Sequence, residues 1–210
     1  AEPDDPRYPQ VCFDESPVQL TSETRHPLPA RPGQPVRYDS EYKREGTANL
    51  FLFVQPLRGW RQVNVTKQRT KQDFAQQMRL LVDEYFPTAE RIRLVVDNLN
   101  THTPAALYSV FAPTEARRIT RKLEFHYTPK HGSWLNMAEC ELAVLAGQCL
   151  DRRISTIGTL QEEIAAWQGP RNQRQAKIHW QFGTEAARVK LQRLYPCVES
   201  TQAPVGLQAS

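Results

Sequence analysis

Three carboxylates occupy positions where their chemistry could be put to use. Asp14 closes the apolar run "VCFD", Asp97 closes "RLVVD", and Glu139 lies inside "WLNMAECEL", a stretch with helical spacing. A single acid at the tip of a strand is ordinarily a turn or cap residue. Three acids brought together are different, because two like charges about 4 Å apart repel by roughly 4 kcal/mol at an effective dielectric near 20. A hard divalent cation held by oxygen ligands neutralises such a cluster, and Mg²⁺ typically takes few carboxylates and completes its shell with water or substrate phosphate. Two such ions can clamp the attacking and leaving oxygens of an in-line displacement at phosphorus. The expected cofactor is therefore a pair of Mg²⁺ ions, with Mn²⁺ able to substitute.

Positioning these acids requires a particular set of elements. "VCFD" reads as a short strand ending at Asp14, and residues 22–35, with four prolines and Gly33, read as an extended loop. "VRYDSEY" alternates as a strand, Gly46 marks a turn, "NLFLFVQPL" is a buried strand, and "RQVNV" completes a hairpin after Gly59. A helix begins at Thr70, where Thr70 and Asp73 form a capping box. Phe74, Met78, Leu81, Val82 and Tyr85 share one face of it. The strand 92–96 follows, then a helix opened by Thr103-Pro104, a second helical piece after Pro113, and the strand "KLEFHYTP". Ser133 is expected to cap the helix bearing Glu139 and Glu141, and Thr159 with Glu162 to cap another that stops at Gly169-Pro170. "TEAARVKLQRLYP" reads as a last amphipathic helix. If the first and fourth strands are neighbours, Asp14 and Asp97 sit side by side and the helix sets Glu139 beside them. Hairpins followed by alternation imply an α/β fold, a mixed five-stranded sheet flanked by helices. Residues 1–10 are expected as a tail, 11–150 as the core, 151–196 as a helical C-terminal extension of the same domain, and 197–210 as a disordered tail.

With 210 residues, 40% apolar and 24% charged, the chain is sized for one sizeable core. No apolar run approaches a membrane span, and the acidic, proline-rich start is not a signal peptide. Cys12, Cys140, Cys149 and Cys197 show no CxxC spacing, so zinc is not expected and buried inert thiols are. A reduced, cytoplasmic setting fits. The net charge of +4 is modest, but cations cluster at 67–71, 117–122, 171–177 and 188–193. Such clusters are usually solvated faces and bind phosphate only beside a nucleic-acid site. There is no HExxH, no glycine-rich phosphate loop and no GxSxG. Trp134 suits either stacking on a base or burial under its helix. His26, His126 and His179 read as solvated or core histidines, while His102 is the best candidate for a substrate-positioning group.

The segments "VCFDESPVQL", "VVDNLNTH" and "YTPKHGSWLNMAECEL" resemble, in this order, the three acidic motifs of DDE transposases of the mariner superfamily, and most closely those of bacterial insertion sequences. "SEYKREGTANLF" and "FGTEAARVKLQRLYP" resemble the same family. The likeness spans roughly residues 8 to 196. It implies a ribonuclease-H-like fold and metal-dependent cutting and joining of DNA, by hydrolysis and then attack of a DNA 3′-hydroxyl. Asp14, Asp97 and Glu139 match the family's acids, so Glu139 rather than Glu141 is the third, leaving Glu141 as a solvent or salt-bridge residue. Asn98, His102, Lys130, His131 and Asn136 match flanking positions and are expected at the DNA, with Arg117, Arg118, Arg121 and Lys122 as further phosphate contacts. The implied partners are transposon ends and target DNA, with a homodimer assembled on DNA. The interval between Asp97 and Glu139 is longer than is usual in mariner relatives. The family also carries helix-turn-helix modules before the catalytic domain, and only about ten residues precede the first strand here. Such a module is expected to be encoded upstream. The competing readings are a non-transposing DNA endonuclease and a catalytically idle remnant that only binds DNA or partner protomers.

Overall fold

The computed structural model describes residues 5–130 and 132–190. Two long strands, β1 (Gln10–Glu23) and β2 (Tyr42–Gln55), form an antiparallel ladder. β3 (Trp60–Thr66) adds antiparallel to β2, and β4 (Ile92–Val96) and β5 (Leu123–Tyr127) add parallel on the other side. The five-stranded sheet has the order β3-β2-β1-β4-β5.

Alternation along the strands assigns each side chain to a face. Val11, Phe13, Phe51, Phe53, Ile92, Leu94 and Val96 point to one layer. There they meet α1 (Lys71–Leu80, continued by a π turn, Leu81–Tyr85), α2 (Pro104–Tyr108) and α3 (Pro113–Lys122). Cys12, Leu50, Leu52, Val54 and Val63 point the other way, toward α4 (Met137–Leu145, continued by a π turn, Ala146–Leu150) and α5 (Ile157–Gln173). β2 is buried on both faces from Ala48 to Gln55, which is why it reads as an unbroken apolar run. The compact unit extends to Ile178, and a second unit begins at His179. Within the second unit, residues Thr184–Lys190 form the helix α6, where Arg188 and Glu185 pair at 3.0 Å.

Several local expectations change. β1 does not end at Asp14 but continues for nine residues, paired with β2. Gly46 is not a turn: it sits in β2 with φ +126°, beside the register shift opposite Leu20 and Thr21, a β-bulge. Residues 36–41 lie outside the strand, and the segment between β1 and β2 is held by isolated bridges such as Leu28 with Arg37. Ser133 opens a 3₁₀ turn (Ser133–Leu135), and Asn136 caps α4 instead. α5 is capped by Thr156 and runs straight through Gly169-Pro170. An internal proline ordinarily costs about 3 kcal/mol, and here tertiary anchors offset it. Gln168 Oε1 accepts from Val63 N at 3.0 Å, and Asn172 accepts from Arg61 N and donates to Arg61 O, both at 2.8 Å. These side-chain amides also cover the open edge of β3, which would otherwise invite strand pairing. The capping box at Thr70 and Asp73 forms as expected. Cys12 and Cys149 are buried, whereas Cys140 is exposed. Cys197 and the tail 197–210 lie outside the described residues. Among the described residues no helix is long and apolar enough to cross a membrane.

Candidate active site

β1 and β4 run parallel with Cys12 opposite Val95. Asp14 follows two residues later in β1, and Asp97 stands directly after Val96, the last residue of β4. The third acid arrives on α4. Asn136 ties this helix down at both ends of its own amide: Nδ2 donates to Phe13 O at 2.7 Å, one residue before Asp14, and Oδ1 accepts from Ala138 N at 3.2 Å. Glu139 therefore sits in the first turn of a helix fastened to the strand that carries Asp14.

The electrostatics report the convergence. Burial pushes the Asp14 carboxyl up to about 6, and the Asp97 and Glu139 carboxylates push in the same direction. The Glu15 N–H, 2.8 Å from Asp14 Oδ1, and His102 work against the shift. Among the described residues no three His, Cys, Asp or Glu side chains stand close enough to form a finished metal cage. The donor set nevertheless fits a hard divalent cation: it is all carboxylate oxygen, on two rigid strands and one helix, with mutual repulsion that a cation relieves. Mg²⁺ needs only one or two protein carboxylates if water and phosphate complete its shell.

His102 contradicts its expected contact with DNA. It is fully buried, with its ring stacked on Phe74 at 4.9 Å and edge-on to Phe13 at 5.3 Å. Its Nδ1 lies 2.5 Å from Asp97 Oδ1 and its Nε2 3.7 Å from Glu15 Oε2. Burial alone would lower the imidazolium pKa, but the hydrogen bonds and charges of Asp97 and Glu15 outweigh it and lift the value to about 9. Asn136 is likewise fully buried and braces α4 rather than touching DNA. Asn98 donates through Nδ2 to Thr128 O at 2.5 Å, and Thr128 N donates to Val96 O at 2.9 Å, so the turn after Asp97 is pinned to the end of β5. Lys130 is exposed just beyond that point. His131 lies outside the described residues.

The four cations of α3 are not at the acids. Lys122 leads into the start of β5, where Leu123 pairs with Ile92, whereas Asp97 follows Val96 at the opposite end. Arg118 is held by Asp83 at 2.7 Å and by Glu115, and Lys122 Nζ donates to Pro87 O at 2.7 Å. Arg117 and Arg121 are exposed on the same helix. Of the 67–71 cations, Arg69 approaches the residue next to Asp14 in β1, its Nη1 3.8 Å from Glu15 Oε1.

Glu141 is neither solvated nor at the surface. It is 2% exposed and lies 2.7 Å from the Nε of Arg61, itself fully buried, and 3.0 Å from the Nε of Arg171. This ion network joins α4 to β3 and α5. The sequence pattern does not single out Glu15 or Arg61, and it offers a salt bridge for Glu141 without its burial. Glu15 is within its reach, since strand alternation from Phe13 places Glu15 on the α1 face, opposite Asp14.

The model of the DDE superfamily of endonucleases matches residues 9–161, most of the chain and all three acids. The chain belongs to that superfamily. No curated protein matches it in sequence. Its fold is similar to that of solved mariner transposase complexes. The Mos1 paired-end complex with Mn is 17% identical at a TM-score of 0.51, over 80% of this chain and 52% of that one. The Mos1 paired-end complex with the left transposon end is 17% identical at 0.53, over 76% and 47%, and the Mos1 strand transfer complex 17% identical at 0.54, also over 76% and 47%. At this identity the likeness establishes the fold, the ribonuclease-H-like arrangement that the motif order implied. This DDE-superfamily chain spans about half the length of the transposases it resembles.

Proposed function

We propose that this chain is the catalytic domain of a transposase, which cuts DNA and joins the freed 3′-hydroxyl to a target strand. Residues 11–150 would be the catalytic core, continued by the proposed extension 151–196, of which 191–196 lie outside the described residues. The observation that carries the reading is the approach of Asp97 and Glu139 to Asp14, whose carboxyl both help to push up, with Glu139 on a helix tied to the strand that carries Asp14. Membership of the endonuclease superfamily and the fold shared with Mos1 complexes on transposon ends support DNA as the substrate.

Asp14, Asp97 and Glu139 would hold the divalent cations, two Mg²⁺ ions for which Mn²⁺ can substitute. When bound, these supply Lewis acidity and orientation at the scissile phosphate. The chain's own part is to hold the carboxylates rigid. Pairing of β1 with β2 fixes Asp14, His102 holds Asp97, and Asn136 fixes the helix bearing the third. Exposed Lys67, Arg69, Lys71 and Lys130 are placed to meet phosphates flanking the cut. His131 is proposed to join them. A homodimer assembled on DNA, with an upstream helix-turn-helix part reading the transposon ends, completes the proposal.

The test is nicking of supercoiled plasmid by the purified chain. Cleavage is expected in Mg²⁺ or Mn²⁺ and absent in chelator, and Asp97→Asn is expected to abolish it. An Asp97→Asn protein that nicks at the parent's rate would refute the assignment.

A further inference from the structure

A fourth acid stands behind the site without belonging to it. Glu15 follows Asp14 in β1, so its side chain points to the opposite face, where Phe13 and Phe74 pack. That side chain is only 6% exposed. An ionised carboxylate in such a place costs several kcal/mol unless well paired, so burial by itself gives the fold no reason to keep it. Its neighbours are Arg69 at 3.8 Å and His102 Nε2 at 3.7 Å.

His102 links this buried acid to Asp97. Its ring is locked between Phe74 and Phe13. Its backbone is fixed from both sides, His102 N donating to Leu99 O at 3.0 Å and Tyr127 OH to His102 O at 2.9 Å. Nδ1 is committed to Asp97 Oδ1 at 2.5 Å. Nε2 is buried and has no hydrogen-bond partner among the described residues, and it faces Glu15.

We propose that Glu15 and His102 form a positioning pair for Asp97: Glu15 orients the imidazole, the imidazole holds Oδ1, and Oδ2 is left to a divalent cation shared with Asp14. The inference rests on the reading of Asp14, Asp97 and Glu139 as cation ligands. Partners behind a ligand fix its orientation and tune its basicity, and removing them typically weakens metal binding about 10- to 100-fold. It also explains why "DE" and "DNLNTH" each carry a second titratable residue that the three-acid scheme leaves unused.

The test measures Mn²⁺ binding to the full chain by electron paramagnetic resonance of the free ion, with thermal melting in chelator alongside. His102→Ala is expected to weaken Mn²⁺ binding roughly 10-fold or more, and Glu15→Gln at least about threefold. His102→Asn, whose amide N–H stands close to the place of Nδ1, should restore most of the affinity. Glu15→Gln keeps volume and fold, so it decides the matter should His102→Ala fail to fold. A folded Glu15→Gln protein that binds Mn²⁺ like the parent would overturn the proposal. So would a His102→Asn protein as weak as His102→Ala, since the histidine would then act by packing. If Asp97→Asn abolishes Mn²⁺ binding while these variants do not weaken it, the positioning pair alone falls. If the parent binds no Mn²⁺, or Asp97→Asn binds it unchanged, the ligand reading falls together with it.

Discussion

Glu139 and Glu141 stand two positions apart on α4, about 200° around the helix, and meet opposite surroundings. Glu139 lies close enough to Asp14 to push its carboxyl up, while Glu141 is clasped by Arg61 and Arg171 in the interior. Breaking a buried ion network from one side leaves an uncompensated charge and typically costs about 3–5 kcal/mol. Glu141→Gln is therefore expected to lower the melting temperature sharply, a shift that differential scanning calorimetry reads directly. The titratable groups add a pH dependence. His102 holds its proton more tightly in the folded protein, about 9 against 6.5, so its contribution is fully present below pH 6.5 and is lost as pH rises through 9. Asp14 is raised from 3.8 to about 6, so the folded chain loses stability as pH climbs through that window and keeps the deficit above it. Melting in chelator should thus fall across both windows. Mn²⁺ should raise the melting temperature more at about pH 7.5 than at about pH 5, where protons compete for Asp14; an equal rise at both would contradict the shared carboxylate site. At this scale the sequence disclosed the acids through their motifs, but not Arg61, whose burial depends on Asn172 and Ala176, far along the chain.

The elements position the site through a few identifiable joints. Asn136 caps α4 and ties it to Phe13 O, so Asn136→Ala removes a cap and leaves a buried carbonyl unpaired. The expected destabilisation is about 1–3 kcal/mol, with weaker nicking because Glu139 is no longer anchored; chemical denaturation and the plasmid assay check the two parts. Gly59 turns β2 into β3 with φ +68°, and a Cβ there would lie 2.3 Å from the Gln175 carbonyl. Gly59→Ala should accordingly destabilise the hairpin and the seat of α5 together. The buried half of β2, strands β4 and β5, the Thr70 capping box and the Thr103-Pro104 helix start were legible because local pattern and burial agree. The continuation of β1 past Asp14 was not, since it carries Pro17 and several polar residues, and its last five positions pair with an exposed stretch of β2. Nor was the passage of α5 through Pro170, which is set by hydrogen bonds to β3 rather than by propensity.

At the scale of the molecule, the sheet sorts the cations into those beside the acids and those remote from them. Within the 67–71 group Arg69 borders Glu15, while the α3 group lies toward the opposite end of β5 and is partly occupied by Asp83, Glu115 and Pro87. Lys67→Ala with Lys71→Ala should weaken DNA binding and make log affinity fall less steeply with log salt, by roughly one unit of slope for each phosphate that is no longer neutralised. Arg121→Ala should leave both nearly unchanged. Fluorescence anisotropy across a salt series distinguishes the two groups. The central claim, that acids from two strands and one helix make a single cation site that cuts DNA, is tested most directly by Glu139→Gln. Mn²⁺ binding and plasmid nicking are measured on the same preparation, with melting in chelator as the control for folding. Both activities are expected to be lost while the melting temperature stays at or above that of the parent. A Glu139→Gln protein that binds Mn²⁺ and nicks DNA like the parent would contradict the central claim.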